Sequence, residues 1–280
     1  MRKIADSNHF QFINNNHSYY YKNKEHVDEK NEFDVLLELN DTHKKAVKYK
    51  GEFWNYVTLV DDKHTQGWKI HISSTIENYL RIFYLVSKYC ISQNINFKYI
   101  KNMKIYRLSH DKSYSRESAG KFIVIYPCEK SFQTVIESLY KILHNFKGQY
   151  ILSDKRYKDS QCIYYRYGEF YPIYVLNELG VKESFILDDN NNYYKDERLP
   201  YYKKPHWVDN IIDELYLEEK ESLLLKEYNI TSVINFSSTG GTYIGSKNNK
   251  EFIIKEARAF TGLDRTNNYS KDRLLHEKKY

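Results

Sequence analysis

"QGWKIHISS", residues Gln66 to Ser74, alternates as a strand does, and the alternation puts two cations on one side of the backbone. Successive side chains of a strand point to opposite faces, so Trp68, Ile70 and Ile72 share one face while Lys69 and His71 share the other. Taken alone, this is a half-buried strand with a solvated polar face. The pair gains chemical meaning only if further cations and an anion site gather around it.

The surrounding periodicity supplies strands and helices to carry such groups. After the strand, "SSTIENYLRIFYLVSKYC" (73–90) has Ser74 and Glu77 in capping-box register, with Ile76, Leu80, Phe83, Val86 and Cys90 at helical spacing. "INFKYI" (95–100) reads as a strand, and "KFIVIYP" (121–127) as a buried strand closed by Pro127. "SFQTVIESLYKILHNF" (131–146) reads as a second amphipathic helix presenting Phe132, Ile136, Leu139, Leu143 and Phe146, and "QCIYYRYGEF" (161–170) as another strand. Upstream, "FDVLLELN" (33–40) and "NYVTLV" (55–60) are apolar runs.

From Gly168 the periodicity weakens, and "LDDNNNYYKDERLPYYKKP" (187–205) reads as a polar loop. A helix is expected over residues 207–228, followed by "ITSVINFSSTGGTYIGSKNNKEFIIKEARAF" (230–260), two strands around a Gly-Gly turn and a third ending in lysine. A second unit is therefore expected from residue 228. The whole reads as an α+β chain with mixed or antiparallel sheets and flanking helices.

Composition narrows the function classes. Lys and Arg number 43 against 37 Asp and Glu, a net charge of +6 that favours anionic partners. These charges are interspersed, and no known RNA or DNA motif accompanies them, so nucleic acid is not an expected partner. The 29 tyrosines match the coding bias of an AT-rich genome. Cys90, Cys128 and Cys162 have neither a disulfide framework nor zinc spacing. No metal site is expected. With no signal-peptide core at the start and no apolar stretch of membrane-spanning length, a cytoplasmic location is expected.

Other cations on predicted strands complete a possible site. Lys98 lies between Phe97 and Tyr99 and projects from the face opposite theirs; alone it reads as a surface lysine. Desolvation and neighbouring cations would favour its neutral amine, the form a general base requires. Arg116, Arg156 and Arg166 offer forks suited to a phosphate dianion, and Lys121 opens the buried strand after "SAG".

In that order, "QGWKIHISS", "FKYI", "SRESAGKFIVIYP", "ILSDKRYKDSQCIYYRYGEF" and "DERLPYYKKPHWV" resemble the N-terminal lyase domain of class III lanthipeptide synthetases. That domain is in turn similar to the phosphothreonine lyases among secreted bacterial effectors. The resemblance runs from about Trp54 to Val208 and implies a lyase domain over residues 1–227 with that effector fold. It implies β-elimination of phosphate from phosphoserine or phosphothreonine of a precursor peptide (leader plus core), with no metal or other cofactor. By matching motif, Lys98 would be the base, His71 the acid for the departing phosphate oxygen, and Lys69 the stabiliser of enolate-like charge. Arg116, Arg156, Arg166 and Lys121 would hold the phosphate.

The segment 228–280 resembles the opening of a protein-kinase N-lobe, with Gly240, Gly241 and Gly245 in a hairpin. Lys255 would be the lysine that touches ATP phosphates, and Glu277 its ion-pair partner. The glycines read G-G-x-x-x-G, which departs from the usual G-x-G-x-x-G. No kinase catalytic loop or metal motif follows, so ATP and Mg belong to a full-length kinase and this chain is expected to be a piece of a longer kinase-cyclase enzyme. The alternative is a catalytically silent phosphopeptide or leader-peptide binding module on the same pocket.

Overall fold

The computed structural model describes residues 46–212 and 227–278, apart from residues 52, 63, 172, 181, 198 and 265, together with residues 33, 36 and 37. Among the described residues, seven strands form the main sheet: β1 (Val47–Lys50), β2 (Trp54–Thr58), β3 (Gln66–Ile72), β4 (Asn96–Ile100), β5 (Ile123–Tyr126), β6 (Lys155–Arg156) and β7 (Ile163–Glu169). Their spatial order is β1-β2-β4-β5-β3-β7-β6, with antiparallel pairing throughout. The strand carrying Lys69 and His71 thus lies inside the sheet, between β5 and β7.

Period two decides which face is core. Val57, Phe97, Tyr99, Ile123, Ile125, Trp68, Ile70, Ile72, Ile163 and Tyr165 alternate onto one face and are buried together. Helices α1 (Tyr79–Ser92) and α3 (Phe132–Leu143) supply Ile82, Phe83, Val86, Cys90, Phe132, Ile136, Leu139 and Leu143 to the same core. Burial of such side chains contributes on the order of 1.5–3 kcal/mol each before chain entropy is set against it. That leaves the opposite face of the sheet for chemistry.

Several elements differ from the sequence reading. The expected capping box does not form: α1 begins at Tyr79 after N-cap Asn78. The Ser74 hydroxyl is instead 3.0 Å from the Tyr106 hydroxyl, and the Glu77 carboxylate accepts from Tyr269. Leu80, expected on the apolar face, is exposed. A further helix, α2 (Met103–Ser109), starts where the Asn102 side chain accepts from the Ile105 amide at 3.0 Å. Part of the expected polar loop is ordered in a second sheet of β8 (Ile173–Leu176), β9 (Lys182–Leu187) and β10 (Tyr193–Lys195). Asp188 closes its hairpin by accepting from the Asn190 and Asn192 amides. The helix expected over 207–228 falls mostly outside the described residues, as does most of "FDVLLELN".

A third sheet comprises β11 (Asn229–Ser237), β12 (Gly240–Lys247) and β13 (Lys250–Ala257), followed by α4 (Ser270–Glu277). Gly240 has φ +154°, and a Cβ there would fall 2.0 Å from the Glu256 carbonyl oxygen, so this turn demands glycine. The unit packs on the first through α2 and the start of α1. Leu263 N–H donates to the His110 carbonyl, Arg107 to Asn267 Oδ1 at 2.7 Å, and Tyr269 Oη accepts from the Ile76 amide.

Candidate active site

Register across the main sheet assembles the site. Tyr56 pairs with Lys98, Lys98 with Val124, Val124 with His71, and His71 with Tyr164, which in turn faces Arg156. Directly opposed residues of an antiparallel sheet project from the same side, so these side chains form one row across the face away from the core. Lys69 pairs with Arg166 and stands on the same face, two residues along. Lys98 and His71 are separated by two strand spacings, about 10 Å between backbones.

Above this row lies a cavity of about 580 Å³ lined by the cations Lys69, Lys98, Lys121 and Arg166 and by the His71 imidazole. Trp54, Tyr56, Val124, Tyr114, Phe170 and Tyr171 supply apolar and aromatic wall. The Lys98 ammonium stands 5.0 Å from the Trp54 ring centre, 5.5 Å from Tyr56 and 5.8 Å from Tyr126. Such rings attract a cation electrostatically while keeping bulk water away from it. Lys69 Nζ donates to the Glu169 carbonyl at 2.6 Å, which fixes it at the far end of β7.

Behind His71 and Arg166 sit buried carboxylates. Asp154 Oδ2 meets His71 Nδ1, its Oδ1 accepts from the Ser153 hydroxyl at 2.7 Å, and Lys121 Nζ is 3.5 Å from the same Oδ1. Arg166 Nη2 is paired with Asp196 Oδ1. Burial opposes ionisation of Asp154, yet His71, Lys121 and Arg166 together hold its carboxyl below the usual range. Burial lowers the His71 imidazole to about 3, with Lys121 and Lys69 adding to the effect and Asp154 opposing it. The pair is therefore carboxylate and neutral imidazole. With Nδ1 engaged by Asp154, Nε2 is the nitrogen left for a substrate, and an arriving phosphate dianion would favour its protonation.

The structure brings Lys69, His71, Lys98, Lys121 and Arg166 together around one cavity and leaves two named arginines outside its lining. The Arg116 guanidinium lies 5.1 Å from the Phe236 ring centre, and Arg258 approaches the same ring at 4.8 Å. Arg116, read from the sequence as a phosphate ligand, thus links the 111–118 segment to β11. Arg156 is on short strand β6 at the sheet edge, beyond Tyr164. In the third sheet, Lys255 Nζ meets Glu277 Oε1 in a half-exposed ion pair, and Gly240 and Gly241 sit at the start of β12.

Residues 37–213 match the family described as RamC, N-terminal domain. The chain belongs to the RamC N-terminal domain family. A curated relative, the "Probable SapB synthase" of Streptomyces coelicolor, is 27% identical over 208 residues, covering 72% of this chain. The chain spans only 22% of that relative's length. Both findings agree with the resemblance to class III lanthipeptide synthetases. Among solved structures, the type III effector/phosphothreonine lyase OspF from Shigella flexneri is matched with a TM-score of 0.36 and 16% identity, over 59% of this chain and 89% of that one.

Within this member of the RamC N-terminal family, two residues that sequence reasoning passed over are Asp154 and Asp196. Both lie inside the ordered motifs, in "ILSDKRY" and "DERLP". Their signal was an acidic residue beside cations in a motif whose other members were already singled out. Nothing in local periodicity marks a coil carboxylate as the buried partner of a histidine on a distant strand.

Proposed function

We infer that the chain is a phosphoserine/phosphothreonine lyase acting on a lanthipeptide precursor phosphorylated by a kinase unit of the same longer enzyme. The observation that carries this reading is the row Lys98–Val124–His71, with Lys69, Lys121 and Arg166 beside it in one cavity. A base and an acid thus flank a site rich in fixed positive charge.

The reaction needs each of these parts. A neutral Lys98 amine takes the α-proton, and the electrons of that bond become the Cα–Cβ double bond as the Cβ–O bond breaks. The departing phosphate oxygen takes a proton from the His71 imidazolium at Nε2. Lys69 offsets charge growing on the substrate carbonyl, and Arg166 with Lys121 binds the phosphate. The products are a dehydroalanine or dehydrobutyrine residue and inorganic phosphate. Lys98 ends charged and His71 neutral, so the next cycle needs one proton moved back through solvent or product. Both protons of the elimination step are handled by protein side chains, so the proposed step invokes no cofactor.

Residues 1–227 would form the lyase unit and 228–280 the opening of the kinase N-lobe, with Lys255 and Glu277 awaiting the ATP and Mg of the full-length kinase. The same reading places the work in the cytoplasm. A second reading, phosphopeptide or leader capture without turnover, draws on the burial that holds His71 neutral. Mass spectrometry of a synthetic phosphopeptide incubated with the chain separates the two. Loss of phosphoric acid supports the lyase, and tight binding with intact phosphopeptide supports capture.

A further inference from the structure

We propose that Val124 is the residue that sets the choice between phosphoserine and phosphothreonine. The inference rests on the lyase reading and adds a specificity determinant to it. Val124 pairs with Lys98 on one side and His71 on the other, and its side chain borders the cavity between them. Its chain neighbours Ile123 and Ile125 belong to the core on the opposite face.

The substrate atoms that must lie between a base at Lys98 and an acid at His71 are the α-carbon, the β-carbon and the leaving oxygen. Phosphothreonine differs from phosphoserine by one methyl group on that β-carbon. Along the row Tyr56–Lys98–Val124–His71–Tyr164, Val124 is the one short side chain among long ones. Two residues along β5, Tyr126 stands on the same face with its ring 5.0 Å from that of Phe170. The floor therefore dips at Val124, beneath the place where the extra methyl would sit. The dip is stiff, because a β-branched side chain in a sheet has little χ1 freedom.

A one-carbon difference in an apolar contact is worth about 10–200-fold in selectivity, so the volume at position 124 should be read directly in a ratio of rates. The experiment measures kcat/KM of the whole chain for two synthetic peptides identical except for phosphoserine or phosphothreonine. Val124→Ile, which raises the floor, is expected to lower the phosphothreonine-to-phosphoserine ratio by about tenfold or more. Val124→Ala, which deepens it, is expected to move the ratio the opposite way and keeps the test open if isoleucine overpacks the strand. Turnover of both peptides with an unchanged ratio in a folded variant overturns the role of Val124 alone. Turnover of neither peptide by the unsubstituted chain overturns the lyase reading and this inference with it.

Discussion

His71 and Lys98 stand in one cross-strand row with Val124 between them, although 27 positions separate them in the chain, as their numbers show. The row exists because β5 is inserted between β4 and β3. On the proposed lyase reading, His71 as proton donor and Lys98 as proton acceptor would be held on rigid strands on either side of a short apolar floor.

Lys98→Ala should abolish elimination, with a loss of at least about 10²–10⁴ in rate, the usual contribution of a general base. Phosphopeptide affinity should change little, since Lys121 and Arg166 remain in place. Single-turnover phosphate release beside equilibrium binding separates the two effects. Full activity in Lys98→Ala would remove it from the role of base.

Asp154→Asn tests positioning rather than direct chemistry. The Asp154 carboxylate opposes the depression of His71, so its loss should reduce the imidazolium population further. The expected result is a kcat lower by about 10²-fold or more, because the carboxylate no longer fixes the imidazole tautomer or stabilises the imidazolium. The pH profile should also move to lower pH, a displacement that a merely looser fold would not give.

Acid should destabilise the fold through the same pair. His71 falls from an ordinary 6.5 to about 3 in the folded protein, so the unfolded chain takes up its proton first as pH drops. Its contribution is complete above the unfolded value and is lost progressively between pH 6.5 and 3, in the direction that Asp154 reinforces below the ordinary carboxylate range. At pH 5 the expected loss from His71 is on the order of 2 kcal/mol relative to pH above 7. Buried His110, lowered to about 4, adds in the same sense. Urea midpoints across this range should fall with pH, and His71→Gln should flatten the slope without removing the His110 share.

The two arginines Arg166 and Arg116 should behave oppositely. Arg166→Gln removes a cavity-lining cation and should weaken phosphopeptide binding by about 1.5–3 kcal/mol, the range for hydrogen bonds to charged groups. Arg116→Ala should leave binding unchanged and instead loosen the contact with Phe236. Isothermal titration with one phosphopeptide checks both. Equal losses in the two variants would place Arg116 in the phosphate site.

Much of this was legible in the sequence because it is periodic. The alternation in "QGWKIHI" separates Trp68, Ile70 and Ile72 from Lys69 and His71, and the structure buries the first set against α1 and α3. It buries Lys69 and His71 as well, so their face is a cavity wall and not the solvated face expected of the strand alone. The row itself was not legible from periodicity, since neighbours across a sheet depend on strand order and long-range pairing. Asp154 and Asp196 were missed for a related reason: both are coil residues that acquire a role only through burial beside a basic side chain from a distant strand. Arg116 shows why residue type alone does not fix a role, because a guanidinium suited to phosphate also packs on an aromatic ring, here that of Phe236.

The most direct test of the central claim is the pH dependence of kcat for phosphate release from a phosphopeptide by the intact chain. Elimination needs Lys98 without its proton and His71 with one, so the account predicts a bell-shaped profile. A rate that rises monotonically through neutral and alkaline pH would contradict it.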